Sequence, residues 1–533
     1  MTAAMRPVLN RLGLSLLSAV LLFLAVPTSG LWPLMWIAVV PQIAVALDAS
    51  THKRAFLYGW LTGTVANAVA FSWMDGLLER FGHMPWIEAA PIVLLLVGYQ
   101  GLAFGLFSWG VRRLARRTRL PLAVLAPLVM VVIELGMPQI FPYYLAISQA
   151  FVPLLIQIAD ITGPLGVTAL LMAFSGAVFD AWRARAEGFR IAGRGLAIVG
   201  ALIIADVAYG GLRLHQMTAR RAAAPKVRTG LVQANVGIIE KWDPREFARL
   251  LATHQRESVD LASRGAELIV WPESSYPYAL RRPPDPFVRD FGLEDARRVR
   301  RGFETPLLFG AVTRSTRDRY PYNTALMMNG AGEATGSYDK VFLMMFGEYI
   351  PFYDAIPWFT KVFPEASNFS RGSEPASFPL QVAGRDYRLG PLICYEDILP
   401  GFARRVAQLD PNAFINITND AWFGRTAEPY QHLALAVFRS VEHRIEMIRA
   451  VNTGVSAHID AAGRVRARTD SVDPDEQPAP TPKTLLVDLA MLPGGGIYRY
   501  TGDLFGFGCL AALVVILVRS RPARPRPGRK SRR

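Results

Sequence analysis

The sequence predicts a polytopic α-helical membrane domain joined to an extracytoplasmic α/β domain, and three observations predict it. Apolar residues make up 51% of the 533 and charged residues only 19%, a membrane composition rather than a soluble one. The apolar residues gather into about eight runs of near-spanning length, seven before residue 215 and one after residue 503. Between them, from about Pro225 to Leu492, short β-rich runs alternate with charged helical stretches.

The spans fall at Leu12 to Val26, Leu31 to Leu47, Ala55 to Met74, Ala89 to Gly110, Leu120 to Gly136, Gly163 to Phe179, Gly195 to Leu214 and Leu504 to Val518. Loop charge tests this count independently, because cytoplasmic loops collect Lys and Arg. Arg6 and Arg11 precede the first run, Lys53 and Arg54 follow the second, Arg112 to Arg119 follow the fourth, and Arg183, Arg185, Arg190 and Arg194 follow the sixth. Every second loop is basic. Both termini are therefore expected in the cytoplasm, and the block between the seventh and eighth spans outside it. Arg213, Arg220, Arg221, Lys226 and Arg228 break the pattern, which long translocated domains tolerate.

The expected boundaries are 1–215 for the membrane domain, 225–492 for the α/β domain, 503–519 for a last span and 520–533 for a basic tail. The net charge of +15 does not indicate nucleic acid, since eight basic residues and no acid stand from Arg519 onward. Such a tail suits topology and anionic lipid. Of two cysteines, Cys509 lies in the last apolar run and Cys394 in the α/β block, so a disulfide between them is not expected.

Within the block, strands are expected at Val227–Val236, Leu268–Trp271, Leu307–Thr313, Thr324–Met328, Leu389–Cys394, Ala413–Thr418, Val455–Asp460 and Leu485–Asp488. Helices are expected at Pro244–Ser263, Pro400–Gln408 and Pro429–Arg449. Glu273 and Cys394 each stand where a strand ends, the usual place for sites in α/β sheets. A strand-to-helix elbow at Cys394 would put its sulfur near a helix N-terminus, which lowers a thiol pKa. Trp-Pro-Glu after an apolar strand partly desolvates Glu273 and suits it to act as a base. Alone, Cys394 reads as a packed cysteine, Glu273 as a solvated acid and Lys340 as a surface lysine.

Together, Trp271-Pro272-Glu273-Ser274, Tyr338-Asp339-Lys340 and Ile393-Cys394-Tyr395-Glu396 carry a carboxylate, an amine and a thiol in that order. Further stretches join them: Trp242-Asp243-Pro244, Tyr322-Asn323-Thr324, Phe346-Gly347-Glu348-Tyr349-Ile350-Pro351, Thr418 to Gly424 and Arg449 to Gly454. The set resembles the apolipoprotein N-acyltransferases, membrane-bound members of the nitrilase superfamily. The resemblance implies a nitrilase-like αββα sandwich, with Glu273 as general base, Lys340 as the stabilising cation and Cys394 as nucleophile. It further implies that Glu348 and Glu396 are functional acids and that Asn323, Trp242 and Tyr395 support or line the site. The chain departs from the family between Lys340 and Glu348, where the family usually has a His and a Pro-Phe-Gly-Glu and this chain has Val341-Phe342-Leu343-Met344-Met345-Phe346. The aromatics Phe342, Phe346, Phe352, Tyr353, Trp358, Phe359 and Phe363 could lie in the headgroup zone.

The implied partners are a phospholipid acyl donor, a diacylated apolipoprotein acceptor and the inner-membrane bilayer, with no cofactor and no metal. The implied reaction is ping-pong through a Cys394 thioester, Lys340 and the backbone N–H after Cys394 holding the oxyanion. A membrane-tethered amidase acting on a small amide is the alternative, and a non-catalytic lipid-binding scaffold or transporter a more distant one.

Overall fold

The computed structural model describes residues 5–520 apart from 83, 140, 186–188, 283–285, 346, 350–367, 474–475 and 477–479. Phe346, Phe352, Tyr353, Trp358, Phe359, Phe363 and the tail from Arg521 lie outside the described residues.

The N-terminal region is helical: α1 (Met5–Leu24), α2 (Val40–Asp48), α3 (His52–Ala70), α4 (Trp73–Gly82), α5 (Trp86–Arg117), α6 (Leu122–Gly136), α7 (Pro164–Ala184) and α8 (Phe189–Ala223). Among the described residues four stretches, in α1, α5, α7 and α8, are long and apolar enough to cross a membrane. Shorter apolar helices occupy Trp32–Asp48, Leu122–Gly136 and Leu504–Arg519. Large apolar side chains such as Leu17 on α1 and Ile198 and Ile204 on α8 point outward, as helices in hydrocarbon require.

Two of the expected spans are broken. The run from Leu31 folds as Trp32–Leu34, Met35–Ala38 and α2, because Pro33 and Pro41 each remove a backbone donor. The run from Ala55 divides at Phe71 and Ser72 into α3 and α4. Inside the bundle, α3 and α5 cross at glycine. A Cβ on Gly101 would stand 2.7 Å from the Thr64 nitrogen, so only a small residue permits this approach. Gln42, Thr62 and Ser108 add buried interhelical hydrogen bonds of 2.7 and 2.8 Å.

One end of the bundle is basic. Arg11 pairs with Asp48 at 2.7 Å, and Arg112 donates to the Ala46 and Leu47 carbonyls at the end of α2. The other end meets the α/β domain. The charges that broke the loop pattern lie there, because α8 extends beyond Leu214 to Ala223. Arg213 pairs with Asp160 at 2.8 Å and Arg221 with Glu446 at 2.8 Å. Asp160 also binds Arg444 at 2.6 Å, so one carboxylate ties α8 to the α/β domain.

Among the described residues that domain has thirteen strands in two sheets: β1 (Lys226–Gln233), β2 (Leu268–Val270), β3 (Tyr276–Arg281), β4 (Leu307–Arg314), β5 (Tyr322–Met328), β6 (Ala334–Asp339), β7 (Phe378–Val382), β8 (Arg385–Ile393), β9 (Ala413–Thr418), β10 (Glu446–Val451), β11 (Ala457–Ile459), β12 (Val465–Arg468) and β13 (Lys483–Ala490). The first sheet runs β13-β1-β2-β4-β5-β6, with β3 also on β4; the second runs β12-β11-β10-β9-β8-β7. Both are mixed, parallel in the centre and antiparallel at the edges. Helix α9 (Phe247–Ser263) lies against the first sheet; α10 (Pro400–Ala407) and α11 (Glu428–His443) belong to the second, and α12 (Leu504–Arg519) follows the domain. The loops after β1 and β10 join the sheets, the Asn235 N–H donating to the Asn452 carbonyl at 2.9 Å. Two mixed sheets, each with its own helices, give the αββα layering expected of a nitrilase-like sandwich.

The helix expected over Pro429–Arg449 is a helix and a strand. It ends at His443; Arg444 takes a left-handed φ of 55°, and β10 starts at Glu446. No glycine marks this stop, so its usual signal is missing. Strands β3, β6, β7 and β12 were not expected either.

Candidate active site

Three strand ends from the two sheets converge. Glu273 follows β2 after Trp271 and Pro272, Lys340 follows β6 directly, and Cys394 follows β8 directly. The backbone at Glu273 passes so close to β4 that a Cβ on Gly310 would lie 2.7 Å from the Glu273 Cα. Glycine is required there.

Lys340 is 1% exposed, and its Nζ stands 3.2 Å from Glu273 Oε1 and 2.7 Å from Glu348 Oε2. Asn323, on β5, donates its amide to Oε1 of both acids, at 2.6 and 2.8 Å. The two carboxylates thus share one cation and one amide. Burial opposes the charge on Lys340, but the Cys394 sulfur, Glu273 and Glu348 outweigh it and hold the amine well above its ordinary pKa. Glu348 also accepts the Met344 N–H at 2.9 Å. Met344, in the segment that departs from the family pattern, is thereby tied to this acid.

Cys394 has a left-handed φ of 50°, a conformation that costs a non-glycine residue about 1–3 kcal/mol. The Asn416 amide donates to its carbonyl at 3.2 Å, and Glu396 accepts the Ile393 N–H at 2.9 Å. Glu396 is fully buried and also accepts from the Tyr338 hydroxyl and from the Val341 and Phe342 N–H groups. One carboxylate so fixes the Lys340 loop against the nucleophile turn. Burial pushes its pKa up to about 7, against the pull of the Tyr338 hydroxyl and these backbone donors.

The expected elbow differs in one respect. Cys394 opens a five-residue 3-10 turn, Cys394–Ile398, and α10 begins only at Pro400. The sulfur therefore lacks a long helix at its back. Burial and the Glu273 charge push the thiol well above its ordinary pKa, with Lys340 pulling the other way. Burial and Glu273 thus disfavour a resting thiolate, opposite to the lowering expected from a strand-to-helix elbow, and a base is needed to take the proton.

Cys394 and Tyr395 line a cavity whose other wall is the membrane domain: Phe71, Trp73, Phe141 and Tyr143, with Met344 and Phe423. Tyr143 also lines a deeper cavity among the helices, with Leu22, Phe104 and Met130. The two cavities have Tyr143 as a common wall.

A model for the apolipoprotein N-acyltransferase N-terminal domain matches residues 18–177, and one for carbon-nitrogen hydrolases matches residues 228–475. The apolipoprotein N-acyltransferase of Geobacter metallireducens is 32% identical over 512 residues, 94% of each chain. The chain belongs to the apolipoprotein N-acyltransferase family. The Bdellovibrio bacteriovorus member is 26% identical over 81% of each chain. Among solved structures, Nit3 of Saccharomyces cerevisiae, of branch 10 of the nitrilase superfamily, matches 52% of this chain and 93% of its own at 16% identity and a TM-score of 0.35.

Of the residues this family resemblance singled out, Glu273, Lys340, Glu348, Asn323 and Glu396 are joined by hydrogen bonds or ion pairs, directly or through the Lys340 loop, and Cys394 and Tyr395 face the cavity. Trp242 is different: it ends the short helix Ile238–Trp242, 47% exposed. Its neighbour Lys241 enters the site instead, donating to the Glu273 carbonyl at 2.8 Å, with burial lowering its pKa to about 8. The sequence reading missed Lys241. It also missed a buried network in which His432 bridges Asp397 at 2.9 Å and Asp420 at 3.2 Å, and Arg449 pairs with Asp397.

Ligand atoms of Asp420, Glu428 and His432 lie within 4.8 Å of one another, the spacing of a metal site. Both His432 nitrogens, however, are engaged by carboxylates. Burial opposes its charge, yet Asp420 and Glu428 raise its pKa. Asp397 and Asp420 thus occupy the two ring nitrogens an ion would need.

Proposed function

We propose that the chain transfers an acyl chain from a phospholipid, through a Cys394 thioester, to the α-amine of diacylglyceryl-cysteine at an apolipoprotein N-terminus. The observation that carries the reading is the placement of Cys394. Cys394 lines a cavity walled by the membrane helices and interacts electrostatically with the buried Glu273–Lys340 pair.

Glu273 takes the thiol proton, and the sulfur attacks the ester carbonyl. Lys340 and the Tyr395 backbone N–H face the oxyanion. As the tetrahedral intermediate collapses, the bond to the glycerol oxygen breaks and Glu273 returns the proton to that oxygen, releasing a lysophospholipid. The acceptor amine then attacks the thioester, Glu273 receives its proton, the carbon–sulfur bond breaks, and the proton returns to sulfur. The kinetics are ping-pong. Each buried methylene contributes about 0.8 kcal/mol to membrane residence, so the donor stays in the bilayer and the catalyst must meet it there.

In this reading residues 1–215 and 503–519 hold the enzyme in a bacterial inner membrane, with the tail 520–533 and both termini cytoplasmic and the domain 225–492 on the periplasmic face. The basic end of the bundle, opposite the α/β domain, supports that orientation. Glu348 and Asn323 position the Glu273–Lys340 pair, Glu396 positions the nucleophile turn, and Tyr395 lines the acyl site. Purified enzyme given acyl-labelled phospholipid and a diacylated lipopeptide should put the label into triacylated peptide. Label released only as free fatty acid would favour the amidase alternative.

A further inference from the structure

One carboxylate in the cavity beside Cys394 has no part in these proton transfers. Glu428 opens α11, its side chain 12% exposed, with Oε1 3.9 Å from His432 Nδ1. Its Oε2 is buried and has no hydrogen-bond partner among the described residues. The neighbouring acids are better provided. Glu273 and Glu348 share Lys340, Asp397 has Arg449 and His432, and Asp420 has His432. Burial and the Asp420 charge raise the Glu428 pKa well above the usual carboxylate range, with His432 opposing them. A cation at Oε2 would reverse that shift.

The cavity wall suits a cation as well. Phe71, Trp73, Phe141 and Phe423 line the same space as Glu428 and Cys394. The Trp73 ring stands edge-to-face with Phe141 at 5.4 Å and with Phe423 at 5.0 Å. Aromatic walls with a carboxylate attract organic cations: the rings stabilise the charge through their quadrupoles, and the acid accepts the N–H bonds. A fatty chain would need no carboxylate.

We propose that Glu428, with the rings of Phe71, Trp73, Phe141 and Phe423, forms a subsite for a primary ammonium group and so holds the amine substrate beside the Cys394 thioester, the free amine in acid–base equilibrium with that ammonium being the form that attacks. The inference rests on the acyl-transfer reading and adds the means of amine recognition to it. Two molecules carry this chemistry, the lipoprotein α-amine and the ethanolamine headgroup of a phospholipid donor. In a ping-pong sequence the lysophospholipid leaves before the acceptor arrives, so one subsite can serve both in turn.

The test uses full-length Glu428→Gln in lipid nanodiscs and follows the two half-reactions separately. Acyl-enzyme on Cys394 is measured by intact mass with phosphatidylglycerol, which has no amine, and with phosphatidylethanolamine. Its discharge is then measured with a diacylated lipopeptide. The ratio of discharge rate to phosphatidylglycerol acylation rate should fall about ten- to a hundredfold, the usual worth of a hydrogen bond to a charged group. The fall should appear in KM for the lipopeptide more than in kcat, and Glu428→Asp should recover part of it. Loss of a wild-type preference for phosphatidylethanolamine over phosphatidylglycerol would assign the subsite to the headgroup too. Unchanged ratios in both arms overturn the proposal, as does equal slowing with every donor and acceptor. If Glu428→Gln is not acylated at all, Glu428→Asp decides by the same ratios. Failure of the wild type to form any acyl-enzyme would instead refute the acyl-transfer reading itself.

Discussion

Replacing Lys340 with methionine removes the one cation that two buried carboxylates share. At the observed 3.2 Å to Glu273 and 2.7 Å to Glu348, each attraction amounts to about 5–6 kcal/mol at an effective dielectric near 20. Desolvation of the amine offsets much of this, and deleting one partner of such a buried pair typically costs about 3–5 kcal/mol. Asn323 would then stand between two carboxylates with no counter-charge, and one of them would take up a proton. A protonated Glu273 cannot accept the thiol proton, and the oxyanion would lose a donor worth about 2.7–4 kcal/mol. Acylation of Cys394 should therefore fall by about a thousandfold or more.

The stability loss has a defined pH dependence. The raised Lys340 pKa makes its contribution in the wild type complete below its unfolded value and lost only as strongly alkaline pH passes the folded one. The gap in unfolding free energy between wild type and Lys340→Met should therefore be at full size at neutral pH and shrink only at strongly alkaline pH. Intact-mass kinetics and chemical denaturation at neutral and alkaline pH read these effects. A Lys340→Met enzyme that acylates Cys394 within about tenfold of wild type would refute the reasoning.

Because burial and Glu273 raise the Cys394 pKa, iodoacetamide should alkylate the resting enzyme more slowly at neutral pH than it does a free cysteine, with a rate still rising above pH 9; a flat, fast profile would mean a preformed thiolate. Glu396→Gln should lower stability by about 1–3 kcal/mol, since an amide cannot satisfy both the Ile393 N–H and the Val341 and Phe342 N–H groups, and kcat should fall while KM for phospholipid stays nearly constant. Gly310→Val, which drives a side chain into the Glu273 backbone, should abolish acylation while the helical far-UV signal persists; full activity would show that this approach is not required.

Elements with local, repetitive signals were legible before the structure. Strand β9 was read residue for residue as Ala413–Thr418, because an apolar, β-branched run between turn residues admits few alternatives. The family motifs brought Glu273, Lys340 and Cys394 together although 121 residues separate the first from the last, a distance that no periodicity spans. What was lost depends on partners remote in sequence. His432 becomes meaningful only when Asp397 and Asp420 flank it, and Lys241 only when it reaches the Glu273 carbonyl. The boundary at Arg444 was missed because a non-glycine residue adopts the left-handed stop, held by Asp160 of the membrane domain. The upward push on the thiol pKa comes from burial and from Glu273, which a strand-end rule does not include.

The account depends on a covalent acyl-sulfur intermediate at Cys394. The most direct measurement is intact and peptide-level mass spectrometry of the full-length enzyme after exposure to a phospholipid of defined chain length, before and after a diacylated lipopeptide is added. The account predicts one acyl chain on Cys394, removable by hydroxylamine and discharged quantitatively to triacylated peptide. Triacylated product from an enzyme whose Cys394 never carries the chain, or from Cys394→Ala, would contradict it.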